Sequence, residues 1–340
     1  MKNVVRFTAS NMQYGGNLYE SNIDEAISDS YHLEVYYPLS KFNKKKLVKY
    51  ILSPVFYIRL LFKNLFGKFD IGIYSLESCF FLSSKRKNIV VVHHFDPSNS
   101  NFLSKANQWL TYMSLFLNKQ KIDKLVVVSS YWEVFFRKKG FKNVEKIYNS
   151  FDVNYFLNIL SDEKFKHRVD EFRKNILDGK FSRLVYIGNS HPKKGGGVIL
   201  DEIVNGNMIA NDCLFVTSGY QITNPIYDRI SEYKHLDLSY EDYLVLLKAS
   251  DIVVTNSQFQ EGWCRTAHEA MLLETAVLGS GAGGMAELLD MSNQFHINNY
   301  QMINEQISVL LNTETFINKS IITKFNFSYF KKRWLEVLND

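Results

Sequence analysis

Cysteine is scarce in this chain of 340 residues: Cys79, Cys213 and Cys264 are an odd set at unrelated spacings. They fit neither a disulfide framework nor a zinc module, and a reducing cytoplasm is the expected setting. Long apolar runs are missing too. The opening Met1-Lys2-Asn3-Val4-Val5-Arg6-Phe7-Thr8 lacks a signal-type apolar region and reads as a first strand, and no stretch reaches about 18 uninterrupted apolar residues. No membrane-spanning helix is expected. The net charge of +5 is too small to make the whole chain a nucleic-acid binder, and no recognised binding module accompanies its basic residues.

What the chain does contain is alternation. Short β-rich apolar runs alternate with longer amphipathic segments, which is the pattern of parallel sheets with crossover helices, so the fold class is α/β. Strands are expected over 4–8, 33–36, 71–74, 89–92, 125–129 and 144–148, then over 184–187, 214–217, 252–255 and 276–278. Between the two sets lie Asn149-Ser150-Phe151-Asp152 and a polar, charged stretch through Lys180. The domains are therefore expected at 1–152 and 153–326, as two doubly wound units facing across a cleft. Residues 327–340 should form an amphipathic helix, with Phe330, Trp334 and Leu338 at four-residue spacing, packing back toward the N-terminal domain. Ligands of such sheets bind at the carboxyl ends of strands.

The strongest chemical signal is Gln260-Glu261-Gly262-Trp263-Cys264-Arg265-Thr266-Ala267-His268-Glu269-Ala270-Met271, directly after the strand 252–255. Glu261 in the strand-to-helix loop and Glu269 one to two turns into the helix can face a ligand from different depths. The helix start near Gly262 and Trp263 offers unpaired N–H groups and a positive dipole end, which suit a diphosphate. Two solvated glutamates flanking an ordinary helix would be the reading of an isolated pair; the order strand, loop, helix and the glycine after the first acid argue for a site.

This stretch resembles family 4 of the retaining GT-B glycosyltransferases (glycosyl transferases group 1), whose C-terminal domain carries two glutamates at this spacing. The likeness continues through Glu274-Thr275-Ala276-Val277-Leu278-Gly279-Ser280-Gly281-Ala282-Gly283-Gly284-Met285-Ala286-Glu287, similar to the family's next strand and glycine loop. The resemblance implies a GT-B fold, an N-terminal acceptor-binding domain and a C-terminal donor domain. It places Glu261 beside the donor sugar hydroxyls and Glu269 on the nucleotide ribose. Cys264 departs from the usual glycine, and Thr266-Ala267 from the frequent prolines.

Gly188-Asn189-Ser190-His191-Pro192-Lys193-Lys194-Gly195 resembles the family's Gly-Arg…Lys-Gly loop, where cations hold the donor diphosphate. Lys194 matches the lysine, whereas the arginine position is Asn189, so Lys193 or Arg265 would have to compensate. Gly15-Gly16 after the first strand is similar to the family's glycine loop, where a close backbone approach needs the missing side chains. His93-His94-Phe95-Asp96 ends the strand 89–92, and adjacent residues of a strand point to opposite sides, so the pair cannot easily share a metal. The resemblance implies one histidine contacting the transferred sugar, and His93 is taken for it.

From Lys41 to Phe69 the chain carries Lys41, Lys44, Lys45, Lys46, Lys49, Arg59, Lys63 and Lys68, no acid, and many large apolar residues. This is the signature of a segment lying on an anionic membrane, and equally of an amphipathic crossover helix with a solvated basic face. Pro54 is expected to divide it into two shorter helices.

The resemblance implies a transferase moving a hexose-type sugar from a UDP- or GDP-sugar to a hydroxyl of a glycan or lipid-linked acceptor, with retention. The setting would be surface polysaccharide (such as lipopolysaccharide) or glycolipid synthesis on the cytoplasmic membrane face. No Asp-x-Asp occurs, so fixed cations are expected in place of a divalent metal, with no cofactor beyond the donor. Two rivals stand beside it. One is a non-catalytic nucleotide-sugar-binding subunit, suggested by Asn189. The other is an epimerase or dehydrogenase, against which no Gly-x-Gly-x-x-Gly follows the first strand.

Overall fold

The computed structural model describes residues 1–8, 15–37, 53–95, 102–189, 191–205, 212–219 and 231–340. It divides into two compact units. The first comprises Met1–Ser150 with Phe327–Asp340, and the second Phe151–Asn326.

The first unit is built on a six-stranded sheet of β1 (Asn3–Phe7), β2 (His32–Tyr36), β3 (Ile71–Ser75), β4 (Lys87–Val92), β5 (Lys124–Val127) and β6 (Val144–Lys146). All pairings are parallel, in the order β2-β1-β3-β4-β5-β6. The inner strands β3 and β4 are buried along nearly their whole length, as a parallel sheet covered on both faces requires, whereas the edge strands β2 (His-Leu-Glu-Val-Tyr) and β6 (Val-Glu-Lys) are more polar and more exposed. Alternate residues serve opposite faces. Val5, Phe7, Val90, Val92 and Val127 join Phe56, Leu60, Trp132 and Phe136 of the helices Ser53–Phe66 and Ser130–Lys138. Val4, Ile71, Ile73, Val91 and Val126 join Tyr19, Ile23 and Ile27 of the helix Gly15–Ile27 and Phe330, Trp334 and Leu338 of the final helix Phe327–Asn339. Phe330, Trp334 and Leu338 are fully buried, each worth about 1.5–3 kcal/mol, which is why the last helix belongs to the first unit.

The second unit has β7 (Arg183–Asn189), β8 (Cys213–Ser218), β9 (Tyr233–Leu236), β10 (Ile252–Thr255), β11 (Ala276–Gly279) and β12 (Phe295–His296), again all parallel, in the order β12-β11-β10-β7-β8-β9. The chain starts at β7, runs outward to β9, then returns to β10 on the other side of β7. The topological switch point therefore lies between the carboxyl ends of β7 and β10, where such sheets take their ligands.

Ten of these strands fall where the apolar runs put them, to within two residues at either end. β9 and β12 escape the sequence pattern. Tyr-Lys-His-Leu of β9 is only half-buried, and β12 is two residues long; both are edge strands. The charged stretch after the boundary is no linker. It forms the helices Val153–Ser161 and Glu163–Leu177 of the second unit. Arg173 ties the latter down by donating to the Ala249 carbonyl and to Asp251. Pro54 sits in the first turn of Ser53–Phe66, where its missing N–H costs nothing; residues 41–52 lie outside the described residues. Among the described residues no helix is long and apolar enough to cross a membrane.

Candidate active site

The loop after β7 and the loop after β10 are sewn together at the switch point. The Gln258 N–H donates to the Lys193 carbonyl at 2.9 Å, and the Asn256 amide donates to the Gly195 carbonyl at 3.0 Å. Gly195 has φ +61°, and any side chain there would collide with the Asn256 backbone carbonyl, so only glycine lets the two loops meet. This junction carries Lys194 to Glu261. The ammonium lies 2.5 Å from Glu261 Oε1, and the Ser257 hydroxyl donates to the same oxygen.

Glu261 is 3% exposed and its backbone is clamped from a third direction. It pairs with Gly283 in an isolated bridge, and the Gly284 N–H donates to its carbonyl at 2.8 Å. Gly283, at φ +66°, passes so close to the Glu261 backbone that a side chain would clash. Thus three loops, after β7, β10 and β11, fix one carboxylate. Lys194 stays 40% exposed. Burial alone would lower its ammonium pKa, but the Glu261 charge outweighs that and raises it, so the cation persists at neutral pH.

Cys264 caps the helix Arg265–Leu272, which carries Glu269 on its second turn. Glu269 is 5% exposed. Its Oε1 accepts from Arg265 at 3.2 Å and its Oε2 from the Tyr243 hydroxyl at 3.3 Å, while burial raises its carboxyl pKa against the lowering effect of Arg265. The buried Cys264 thiol lies within electrostatic reach of Glu261 and Lys194. Desolvation and the Glu261 charge push it up to about 12, so it is a neutral filler.

The remaining sequence-derived residues fall as follows. Gly188, the penultimate residue of β7, has φ +56°. Asn189 is exposed, its side-chain oxygen accepting from the His191 N–H, and Ser190 lies outside the described residues. Arg265 is committed to Glu269 and stacks over Phe151 at 4.4 Å. Gly262 is buried in the loop ahead of the helix. The Trp263 indole is packed inward, donating to His268 at 3.2 Å against Phe325, so a ligand contact by this residue falls to its backbone. Gly15 and Gly16 open a helix of the first unit; residues 9–14 ahead of them and Asp96 are outside the described residues. His93 is half-buried after β4, whereas His94 is exposed.

Sequence reasoning missed Ser257, Tyr243 and, in the first unit, the cluster around Arg6. The signal for the last was present: one arginine in an apolar strand, and Glu20 and Asp24 four residues apart on one helix face.

The fold is the two-domain α/β architecture of the GT-B glycosyltransferases. Residues 233–323 match the profile of the family described as Glycosyl transferases group 1. No curated protein matches the chain by sequence. Among solved structures, Anabaena HepE in complex with UDP shares 16% identity at a TM-score of 0.73, over 99% of each chain. A glycosyltransferase from Rickettsia africae shares 14% at 0.66, over 99% of this chain and 97% of its own. UDP-GlcNAc 2-epimerase from Methanocaldococcus jannaschii is also similar, with 13% identity and a TM-score of 0.58 over 100% of this chain and 99% of its own. At these identities the likeness shows the fold, and the epimerase shares it.

Proposed function

We propose that the chain is a retaining glycosyltransferase of family 4 that moves a hexose-type sugar from a UDP- or GDP-sugar to a hydroxyl of a glycan or lipid-linked acceptor. The Lys194–Glu261 pair at the switch point carries this reading. A cation that stays charged beside a helix start is what a departing diphosphate needs, and it would do the work of a divalent metal. Glu261 then meets the sugar hydroxyls and Glu269 the ribose, with Tyr243 and Arg265 holding the second acid in place. The first unit takes the acceptor, with His93 toward the transferred sugar, and the departing phosphate oxygen takes the acceptor proton on the same face. That HepE is seen with UDP and with UDP-glucose supports this donor class.

The setting is surface polysaccharide or glycolipid assembly, with the protein in the cytoplasm and residues 41–69 resting on an anionic membrane face. A panel of UDP-, GDP- and ADP-sugars, scored for nucleotide release with and without acceptor glycans, tests the activity. Turnover with one of them, reduced about 100-fold or more in Glu261→Ala, is expected. The exposed Asn189 in place of an arginine favours one alternative, a nucleotide-sugar-binding subunit, and tight binding with no turnover across the panel would establish it in place of the transferase.

A further inference from the structure

In the first unit a buried charge cluster faces His93. Arg6 of β1 grips Asp24 with two nitrogens, at 2.5 Å each, and its third reaches Glu20 Oε2 at 2.7 Å. Arg6 and Glu20 are nearly buried, with side chains 8% and 11% exposed. Among the described residues one cation thus serves two carboxylates, and one negative charge is left over. The second oxygen of Glu20 turns to His93, with Oε1 3.8 Å from Nε2. That is too long for a hydrogen bond, and Nε2 is buried without a hydrogen-bond partner among the described residues. The Tyr19 ring stands edge-on to the imidazole with centroids 5.0 Å apart, and Tyr19 is itself fixed by its hydroxyl donating to the Ile147 carbonyl. Tyr19 and Glu20, neighbours on one helix, therefore border the ring face and its Nε2 edge respectively. The side chain of His93 is still 22% exposed although Nε2 is covered, so its open edge lies on other atoms.

We propose that Glu20, held by Arg6, is a positioning residue that fixes the His93 proton on Nε2, leaving the Nδ1 lone pair to accept a hydrogen bond from a ligand hydroxyl. The chemistry is that of any imidazole: the partner of one nitrogen decides what the other can do. A small ring rotation closes the 3.8 Å gap and satisfies Nε2 and the surplus carboxylate together. A buried donor left unpaired costs about 1–3 kcal/mol, which is the force holding this tautomer. The ligand class that follows is a hydroxyl donor such as a sugar. A carbonyl or phosphate oxygen, which needs a donor, would be refused. The inference rests on the reading of His93 as a residue that meets the sugar.

Long-range nitrogen spectra of histidine-labelled protein without ligand, with the His93 resonances identified by their loss in His93→Asn, read the tautomer directly. The Nε2–H form is expected in wild type and a mixed population in Glu20→Gln, whose fold is protected because Arg6 keeps its paired contact with Asp24. An Nδ1–H form in wild type, or a spectrum unmoved in Glu20→Gln, overturns the proposal. Kinetics give a second readout. Asparagine places its amide oxygen where Nδ1 sits and glutamine reaches the Nε2 position, so His93→Asn should keep about tenfold more kcat than His93→Gln, with donor KM similar in both. The opposite order overturns the proposal as well. If no nucleotide sugar is turned over, the transferase reading falls, while the spectra still decide the role of Glu20.

Discussion

In the second unit the cation and the acid come from loops. Lys194 follows β7 and Glu261 follows β10, and glycine-lined turns bring them together. In the first unit they come from regular elements: Arg6 projects from the middle of a strand, and Glu20 and Asp24 share one helix face. A loop-built pair can exchange partners when a ligand arrives, because loops are where backbone can move; a pair anchored on a strand and a helix is committed, and acts by holding something else. The contrast also separates what each cation protects. Arg6 is buried and is shared between two carboxylates, whereas Lys194 is 40% exposed and pairs with one, which the Ser257 hydroxyl also contacts.

The sharpest way to break this comparison is to delete each cation. Arg6→Met strands the nearly buried Glu20 and the partly exposed Asp24 and should cost about 3–5 kcal/mol, read as a drop in urea midpoint with an unchanged m-value. Lys194→Met strands one acid that keeps a hydroxyl donor, and should cost roughly 1–3 kcal/mol. Equal losses, or a larger loss at Lys194, would mean that the loop junction is the more structural of the two.

The same contrast explains what could be read in advance. Lys194, Glu261 and Glu269, which the structure sets in two neighbouring loops and a helix, stood out because they lie in two short stretches: Gly188 to Gly195 is eight residues from a strand end into its loop, and Gln260 to Met271 twelve from a loop into a helix. The alternation of runs such as Val90-Val91-Val92 and Ile252-Val253-Val254 likewise gave away the parallel sheets, since strands buried on both faces admit little else. Arg6, Glu20 and Asp24 are spread over two elements; each element carries a local oddity, an arginine in an apolar strand and two acids on one helix face, but only the fold joins the two. Nor could spacing show that Trp263 turns inward to His268, because the side to which a loop residue points is settled by tertiary packing. β9 was hidden for a related reason, its Lys234 and His235 diluting an apolar pattern that an edge strand does not need.

The two histidines sharpen the comparison at intermediate scale. His268 of the second unit is fully buried, with Nδ1 accepting from Trp263 and Nε2 facing the Ile322 carbonyl at 3.0 Å, so both nitrogens are used by the neutral ring. Desolvation lowers its pKa to about 3. Between about 6.5 and 3 the unfolded chain binds a proton there that the folded chain refuses, so stability falls as pH falls through that window. Chemical denaturation of wild type and His268→Gln at a series of pH values should show wild type losing up to about 1.4 kcal/mol more per pH unit on acidification below 6.5. Using the difference between the two proteins removes the opposite contribution of Glu269, whose raised pKa favours the folded state on acidification. Parallel curves would show that a proton can enter that core.

The smallest effect on stability is expected where the first unit differs most visibly from the second, in its exposed apolar side chains. On the helix Ser53–Phe66, Phe56 and Leu60 face the core, whereas Ile58, Phe62, Leu65 and Phe66 are all more than half exposed, and Phe62 and Phe66 stack on each other at 5.8 Å. The inward face accounts for the helix being there; the outward face has no such explanation among the described residues. The proposed contact with an anionic lipid surface would put these rings at the headgroup boundary with Arg59 and Lys68 nearby, while Lys63 is paired with Glu34 at 2.6 Å. The double variant Phe62→Ser, Phe66→Ser should change folding stability by no more than about 0.5 kcal/mol, since neither ring is in the core. Its sedimentation with vesicles rich in anionic lipid should nevertheless drop several-fold, and neutral vesicles should bind neither protein. If the double variant binds as wild type does, or if neutralising Lys44, Lys45 and Lys46 leaves binding untouched, the outward face serves something other than a membrane.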